Sequence, residues 1–219
     1  MKRFLFLGIL LITCIFIAYF FILTPDDKPL PVINPVDVES EMVDSSISRV
    51  GYGHKIGTFS FLDQNGKAFG SEQLEGKIYV AEYFFTTCGT ICPIMNAQMT
   101  RVQEAFKNNL NVQIISLTVD PEIDSVEQMK RYAEMHNANE KQWHFLTGKK
   151  EDLYKLARTS FFVLKPAEVE NQGDAGSDFI HTNNFVLVDK EKQIRGYYDG
   201  TSEKEVDQLI LDIEKLLEN

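Results

Sequence analysis

The nine residues Lys77 to Phe85, KIYVAEYFF, constrain the chain more than any other stretch. A short run this rich in β-branched and aromatic side chains reads as a strand buried on both faces, which requires a sheet covered by helices on both sides. That places the chain in the α/β class. Directly after the run come Thr86-Thr87-Cys88-Gly89-Thr90-Ile91-Cys92-Pro93, and Pro93 suits the first turn of a helix. Met95, Met99, Val102 and Phe106 then recur at spacings of 4, 3 and 4 as one apolar stripe, so the two methionines are expected to pack rather than to bind. Functional sites in open α/β sheets lie beyond the carboxyl ends of the central strands, and both cysteines occupy such a loop.

The remainder alternates in the same way. Thr58 to Leu62 and Lys67 to Phe69 flank the turn signal Asp63-Gln64-Asn65-Gly66 and predict a hairpin. Val112 to Val119 predicts a second buried strand ended by Asp120-Pro121, and Asp124 or Ser125 is placed to cap a helix running to about His136. His144 to Leu146 suggests a short strand before a helix from Glu151 to Arg158. Lys165 to Asp178 is polar, contains Gly173 and Gly176, and reads as an inserted surface loop with His181 at its far end. Phe185 to Val188 and Ile194 to Tyr198 predict a last hairpin, followed by an amphipathic helix from Ser202 to Leu217. This order is that of a thioredoxin-like domain, a three-layer sandwich with an extra N-terminal hairpin, expected over residues 54–219.

Phe4 to Leu23 carries no charged side chain and is long enough to cross a hydrocarbon core of about 30 Å, so a single transmembrane helix is expected over residues 4–23. The length of the run and the lack of an A-x-A-like site speak against a cleaved signal peptide. Leu11-Ile12-Thr13-Cys14 loosely imitates a lipobox, but the residues after it stay apolar, and Cys14 reads as a lipid-facing thiol. Lys2 and Arg3 precede the run whereas Asp26 and Asp27 follow it, which predicts a cytoplasmic N-terminus and a periplasmic domain on an inner membrane. Pro25, Pro29, Pro31 and Pro35 suggest a stiff spacer, so residues 24–53 are expected to form a Pro-containing acidic linker. Residues 1–23 hold two of the 22 basic and none of the 32 acidic side chains, which leaves the rest with a formal charge of −12 and excludes nucleic acid as a partner.

Outside the apolar segment only Cys88 and Cys92 remain, and an oxidising compartment joins such a pair unless a reductant or a metal holds it open. Two thiols four residues apart at a helix N-terminus can point at one external atom, with backbone dipoles expected to lower both pKa values. Soft thiolates favour Cu(I), with zinc the main competitor. The histidines are His54, His136, His144 and His181, and only His181 enters the last hairpin from a long loop, beside the cysteines in a thioredoxin-like sheet. It is the candidate third donor of a Cys₂His site, and neutral imidazole suits copper in either oxidation state. Thioredoxins place a cis-proline at that neighbouring loop, but no proline follows Pro166 here. His54, His136 and His144 default to surface or packing roles. Asp120 fits a ligand-orienting role and an ordinary turn equally well.

Cys88-Gly-Thr-Ile-Cys92-Pro93, Ser116-Leu-Thr-Val-Asp120-Pro121 and a histidine before the last hairpin together resemble the SCO/SenC family over roughly His54 to Asn219. The resemblance implies copper, as Cu(I) and/or Cu(II), held by Cys88, Cys92 and His181 and delivered by a membrane-anchored metallochaperone to the CuA site of cytochrome c oxidase subunit II. That family usually has Pro and Asp where Gly89 and Thr90 stand, Asp at Ile180 and often Arg at Ile123. These differences spare the three ligands and bear on the contacts around them. The residues also allow an enzyme: a thiol-disulfide oxidoreductase with Cys88 and Cys92 as its redox pair, acting on cysteines of an exported partner. The extra residue relative to CxxC weakens that alternative, and a peroxidase at Cys88 lacks the PxxxTxxC loop.

Overall fold

The structure is a computed structural model that describes residues 8, 12–16, 19, 29–166, 179–181 and 183–218 and divides into two units, Met1–Leu30 and Pro31–Asn219. In the first unit residues 8, 12–16 and 19 are helical. The expected transmembrane segment 4–23 lies mostly outside the described residues, and among the described residues no helix is long and apolar enough to cross a membrane.

The second unit opens with a hairpin of β1 (Ser60–Leu62) and β2 (Ala68–Gly70). Asp63 Oδ1 accepts from the amides of Asn65 (2.9 Å) and Lys67 (2.8 Å), while Gly66 takes φ +71°, a backbone region glycine enters without strain. Then follow β3 (Ile78–Phe84), α1 (Cys92–Ala105), β4 (Val112–Thr118), α2 (Val126–Met135), β5 (Trp143–Leu146) and α3 (Lys150–Leu156), which runs on into a π-helical turn, Ala157–Phe161. The chain ends with β6 (Leu164–Pro166), β7 (Phe179–His181), β8 (Asn184–Val188), β9 (Ile194–Asp199) and α4 (Glu203–Glu218).

Five strands form the main sheet in the order β5-β4-β3-β8-β9. β3, β4 and β5 run parallel, whereas β8 is antiparallel to both β3 and β9. This is the expected thioredoxin-like α/β arrangement. On one face Phe84 meets Tyr132 of α2 at 5.3 Å between ring centroids, Tyr132 is bonded to Asn96 of α1, and Arg101 of α1 pairs with Asp207 of α4. On the other face Tyr79, Ala81 and Tyr83 join a cluster with Leu153, Leu156 and Phe161. All seven residues of β3 are buried, and Ile78, Val80 and Ala81 are 0% exposed. Burying one Ile or Val side chain stabilises by about 1.5–3 kcal/mol, so displacing β3 would consume most of a domain's net stability of about 5–15 kcal/mol. Whatever leaves the end of β3 is therefore rigidly mounted.

Two features differ from expectation. Residues 31–53, expected as part of an extended linker over 24–53, belong to the folded unit. The Ile33 amide donates to Ile194 O at 2.9 Å, Pro35–Asp37 and Ser40–Met42 form short 3-10 turns, and Val43 is 2% exposed. Ile33, Val38 and Met42 pack on the core without any helical or strand period, which is why the segment reads as spacer in the sequence. The second is a separate two-stranded ribbon, β6 with β7, in which Leu164 pairs with His181, Lys165 with Ile180 and Pro166 with Phe179. It closes the base of the expected Lys165 to Asp178 loop, whose residues 167–178 lie outside the described ones.

Candidate functional site

Beyond β3 the chain makes a tight turn, with the Cys88 amide donating to Phe85 O at 3.2 Å, and Cys92 begins α1. Cys88 is half-buried and Cys92 is 0% exposed; neither is in a disulfide. The Cys92 amide, at the open end of the helix, donates to Cys88 Sγ at 3.5 Å, and Thr90 Oγ1 lies 3.6 Å from the same sulfur. Burial alone would raise the pKa of Cys88, but hydrogen bonds from the Cys92 and Thr90 amides and from both side chains outweigh it and bring the thiol down to about 7. Cys92 behaves in the opposite way. Burial pushes its thiol well up, a hydrogen bond at Phe85 offsets little of that, and negative charge on Cys88 and Glu82 pushes it further. The expectation that the helix end lowers both thiols holds for Cys88 and fails for Cys92, whose sulfur is enclosed by the protein.

Asp124 ties this loop to the next strand. It is 0% exposed, and its carboxylate accepts from the Thr86 amide at 3.2 Å and from the hydroxyls of Thr86 and Thr118. Thr86 Oγ1 also accepts from Gln128 Nε2 at 3.1 Å, and Thr118 Oγ1 from the Asp120 amide at 2.9 Å. With each hydroxyl accepting elsewhere, its proton goes to Asp124. Burial raises the Asp124 pKa, partly offset by the threonine bonds. The helix cap itself is Ser125, which accepts from the Gln128 amide at 3.3 Å.

Below the loop lies Glu82, 1% exposed on β3, accepting from Ser116 Oγ at 2.5 Å, which in turn accepts from Trp143 Nε1 at 2.8 Å. Burial raises its pKa to about 7 against the Ser116 bond, which lowers it. Asn96 Nδ2 donates to Cys92 O at 2.8 Å and Tyr132 Oη at 2.6 Å, bracing the first turn of α1. Sequence reasoning missed Glu82, Asn96 and the role of Asp124. Glu82, an acid inside the run KIYVAEYFF, was the one visible signal.

His181 ends β7, three residues before β8 begins. Because β8 is antiparallel to β3, the start of β8 and the end of β3 share one end of the sheet, and the His181 backbone emerges at the end that carries the cysteine loop. Its side chain is outside the described ones, and among the described residues no group of three His, Cys, Asp or Glu is placed to hold a metal. The other histidines are engaged elsewhere. His54 Nε2 donates to Ser160 O at 3.0 Å, His144 Nε2 meets Gln113 Oε1 at 3.1 Å and stacks on Phe69, and His136 packs on Tyr132. Met95 and Met99 are 1% and 0% exposed, as expected for core residues, and the Asp120 carbonyl accepts the Asp124 amide at 2.9 Å in a turn.

The donor set fits a soft metal. One thiol ionises near neutral pH at the protein surface, and a second stands four residues on, losing its proton when metal displaces it. The same asymmetry suits disulfide exchange, with Cys88 attacking and Cys92 resolving.

The sequence profile of the SCO1/SenC family matches residues 48–218. A relative, the SCO1 protein homolog of Bacillus subtilis, is 35% identical over 163 residues, covering 73% of this chain and 81% of its own. A solved structure of BsSco, described as a member of the Sco family of cytochrome c oxidase assembly proteins and as containing a disulfide switch, superposes with a TM-score of 0.63 at 33% identity, covering 74% of this chain and 93% of the other. Bradyrhizobium japonicum ScoI, solved with copper bound, shares the fold with a TM-score of 0.59 at 23% identity, covering 75% and 99%. With its profile matched over most of the length and the cysteine loop mounted at the end of β3, the chain belongs to the SCO1/SenC family.

Proposed function

We propose that this chain is a copper metallochaperone, with copper as its cargo, held by the Cys88 and Cys92 thiolates and the His181 imidazole and passed by ligand exchange to the CuA site of cytochrome c oxidase subunit II. The observation that carries the reading is the Cys88 thiol, drawn down to about 7 by the helix end and Thr90, at the sheet end where the His181 backbone emerges. Family membership supports it: BsSco is described among oxidase assembly proteins and ScoI holds copper. In this reading residues 4–23 anchor the chain, with the N-terminus cytoplasmic and the domain at the periplasmic face of the membrane.

The unequal thiols favour a second reading, reduction of a disulfide in an exported partner. The Cys88 thiolate attacks one partner sulfur, forming a mixed disulfide and releasing a partner thiolate. Cys92, deprotonated, attacks Cys88 Sγ, releasing the second partner thiol, so the partner gains two electrons and this chain ends as a disulfide.

Copper(I) competition titrations of the reduced protein and His181→Ala separate the readings. Affinity is expected to fall at least about tenfold in the variant. Unchanged affinity removes His181 from the site, and full disulfide-reductase turnover by His181→Ala favours the oxidoreductase.

A further inference from the structure

Arg158, in the π-helical turn after α3, joins segments far apart in sequence. Its guanidinium donates to the carbonyls of Glu41 at 2.7 Å, Val43 at 2.9 Å and Leu164 at 3.0 Å, and its own carbonyl accepts the Asp44 amide at 3.1 Å. Glu41 and Val43 lie on the N-terminal strap, which Val43 pins to the core at 2% exposure and whose Ser40–Met42 turn packs against β6. Leu164 opens β6 and is the register partner of His181 on β7. A planar guanidinium with donors in a fixed fork sets the separation of the carbonyls it bridges, which a single ammonium on a flexible stem does not do. The ring of Tyr154, 5.8 Å from the guanidinium carbon, limits its swing further. Strap residues 31–47 precede the range matched by the family profile, so the link is not implied by membership.

We propose that Arg158 is a positioning residue for the metal centre: it carries the placement of the N-terminal strap through β6 to the strand that ends in His181. The ribbon of β6 and β7 forms a sheet apart from the main one; Leu164 seats β6 in the core at 1% exposure, and Arg158, by donating to the Leu164 carbonyl, fixes where that seat stands relative to the strap. This rests on His181 being a copper ligand.

The test is a double-mutant cycle in the full-length chain, with copper(I) affinity read by chelator competition for wild type, Arg158→Gln, His181→Ala and the double variant. Arg158→Gln is expected to weaken copper binding about tenfold, the scale of losing a residue that orients a metal ligand, and to add nothing in the His181→Ala background. The alkylation rate of Cys88 is expected to stay at the wild-type value, which a general loosening of the fold would change. Val43→Ala, which loosens the seat of the strap on the core and leaves the guanidinium in place, is expected to act in the same direction with a smaller effect, and it carries the test should Arg158→Gln not fold. If His181→Ala weakens binding but neither strap variant does, or if their losses multiply with that of His181→Ala, the inference is overturned. If His181→Ala itself changes nothing, the ligand assignment falls, and the inference with it.

Discussion

Cys88 and His181 leave the same end of the sheet on different mountings. The cysteine loop follows a strand whose seven residues are all buried, and Asp124 ties Thr86 to Thr118 of the neighbouring strand. His181 ends a three-residue strand in a two-stranded ribbon outside the main sheet, whose β6 is seated by the buried Leu164 and held at its carbonyl by the Arg158 guanidinium. On the copper reading proposed above, the thiols would hold position while the His181 imidazole would be the donor that yields to an incoming ligand. The contrast makes the cysteine side a question of buried electrostatics and the histidine side one of tethering.

The most forceful way to break the contrast is Asp124→Ala. It removes a buried carboxylate and strands two hydroxyls and the Thr86 amide, and it is expected to cost about 4 kcal/mol in urea unfolding. A loss under about 1 kcal/mol would mean the loop is held by something else.

Glu82→Gln probes the same side from below. The folded-state pKa of Glu82 is raised to about 7 from an ordinary 4.5. The folded chain therefore holds a proton that the unfolded chain releases, and stability present below 4.5 is lost as pH rises through about 7. Glutamine avoids that loss, so the variant is expected to gain about 2–3 kcal/mol on wild type between pH 4 and pH 8. A pH-independent difference between the two in thermal unfolding would contradict this.

The smallest effect sharpens the difference within the cysteine pair. Iodoacetamide should modify Cys88 with a rate midpoint near pH 7 and Cys92 far more slowly over the same range, as read by peptide mass spectrometry. Equal rates would show that burial does not separate the thiols.

Much of this was legible in residues. KIYVAEYFF and the stripe of Met95, Met99, Val102 and Phe106 have clear periods, and the structure returns them as β3 and the buried side of α1. The strap was not legible, because Ile33, Val38, Met42 and Val43 follow no period and are buried only by what lies beneath them. β6 and β7 are three residues each, too short for alternation to show. The sequence offered Asp124 or Ser125 as the helix cap and Ser125 takes that place, whereas the bonds of Asp124 to Thr86 and Thr118 exist only once two strand ends are side by side. The helix-end rule, applied to both cysteines, failed at Cys92 because burial outweighed it.

Thr90 has one more consequence. This chain sets a neutral hydroxyl 3.6 Å from Cys88 Sγ, and the leading contributions that make that thiol acidic are short-range hydrogen bonds from Cys92 and Thr90. Mobile ions screen full charges over distance but leave such close dipoles almost untouched. The nucleophilicity of Cys88 should therefore be nearly the same in dilute buffer and in brine.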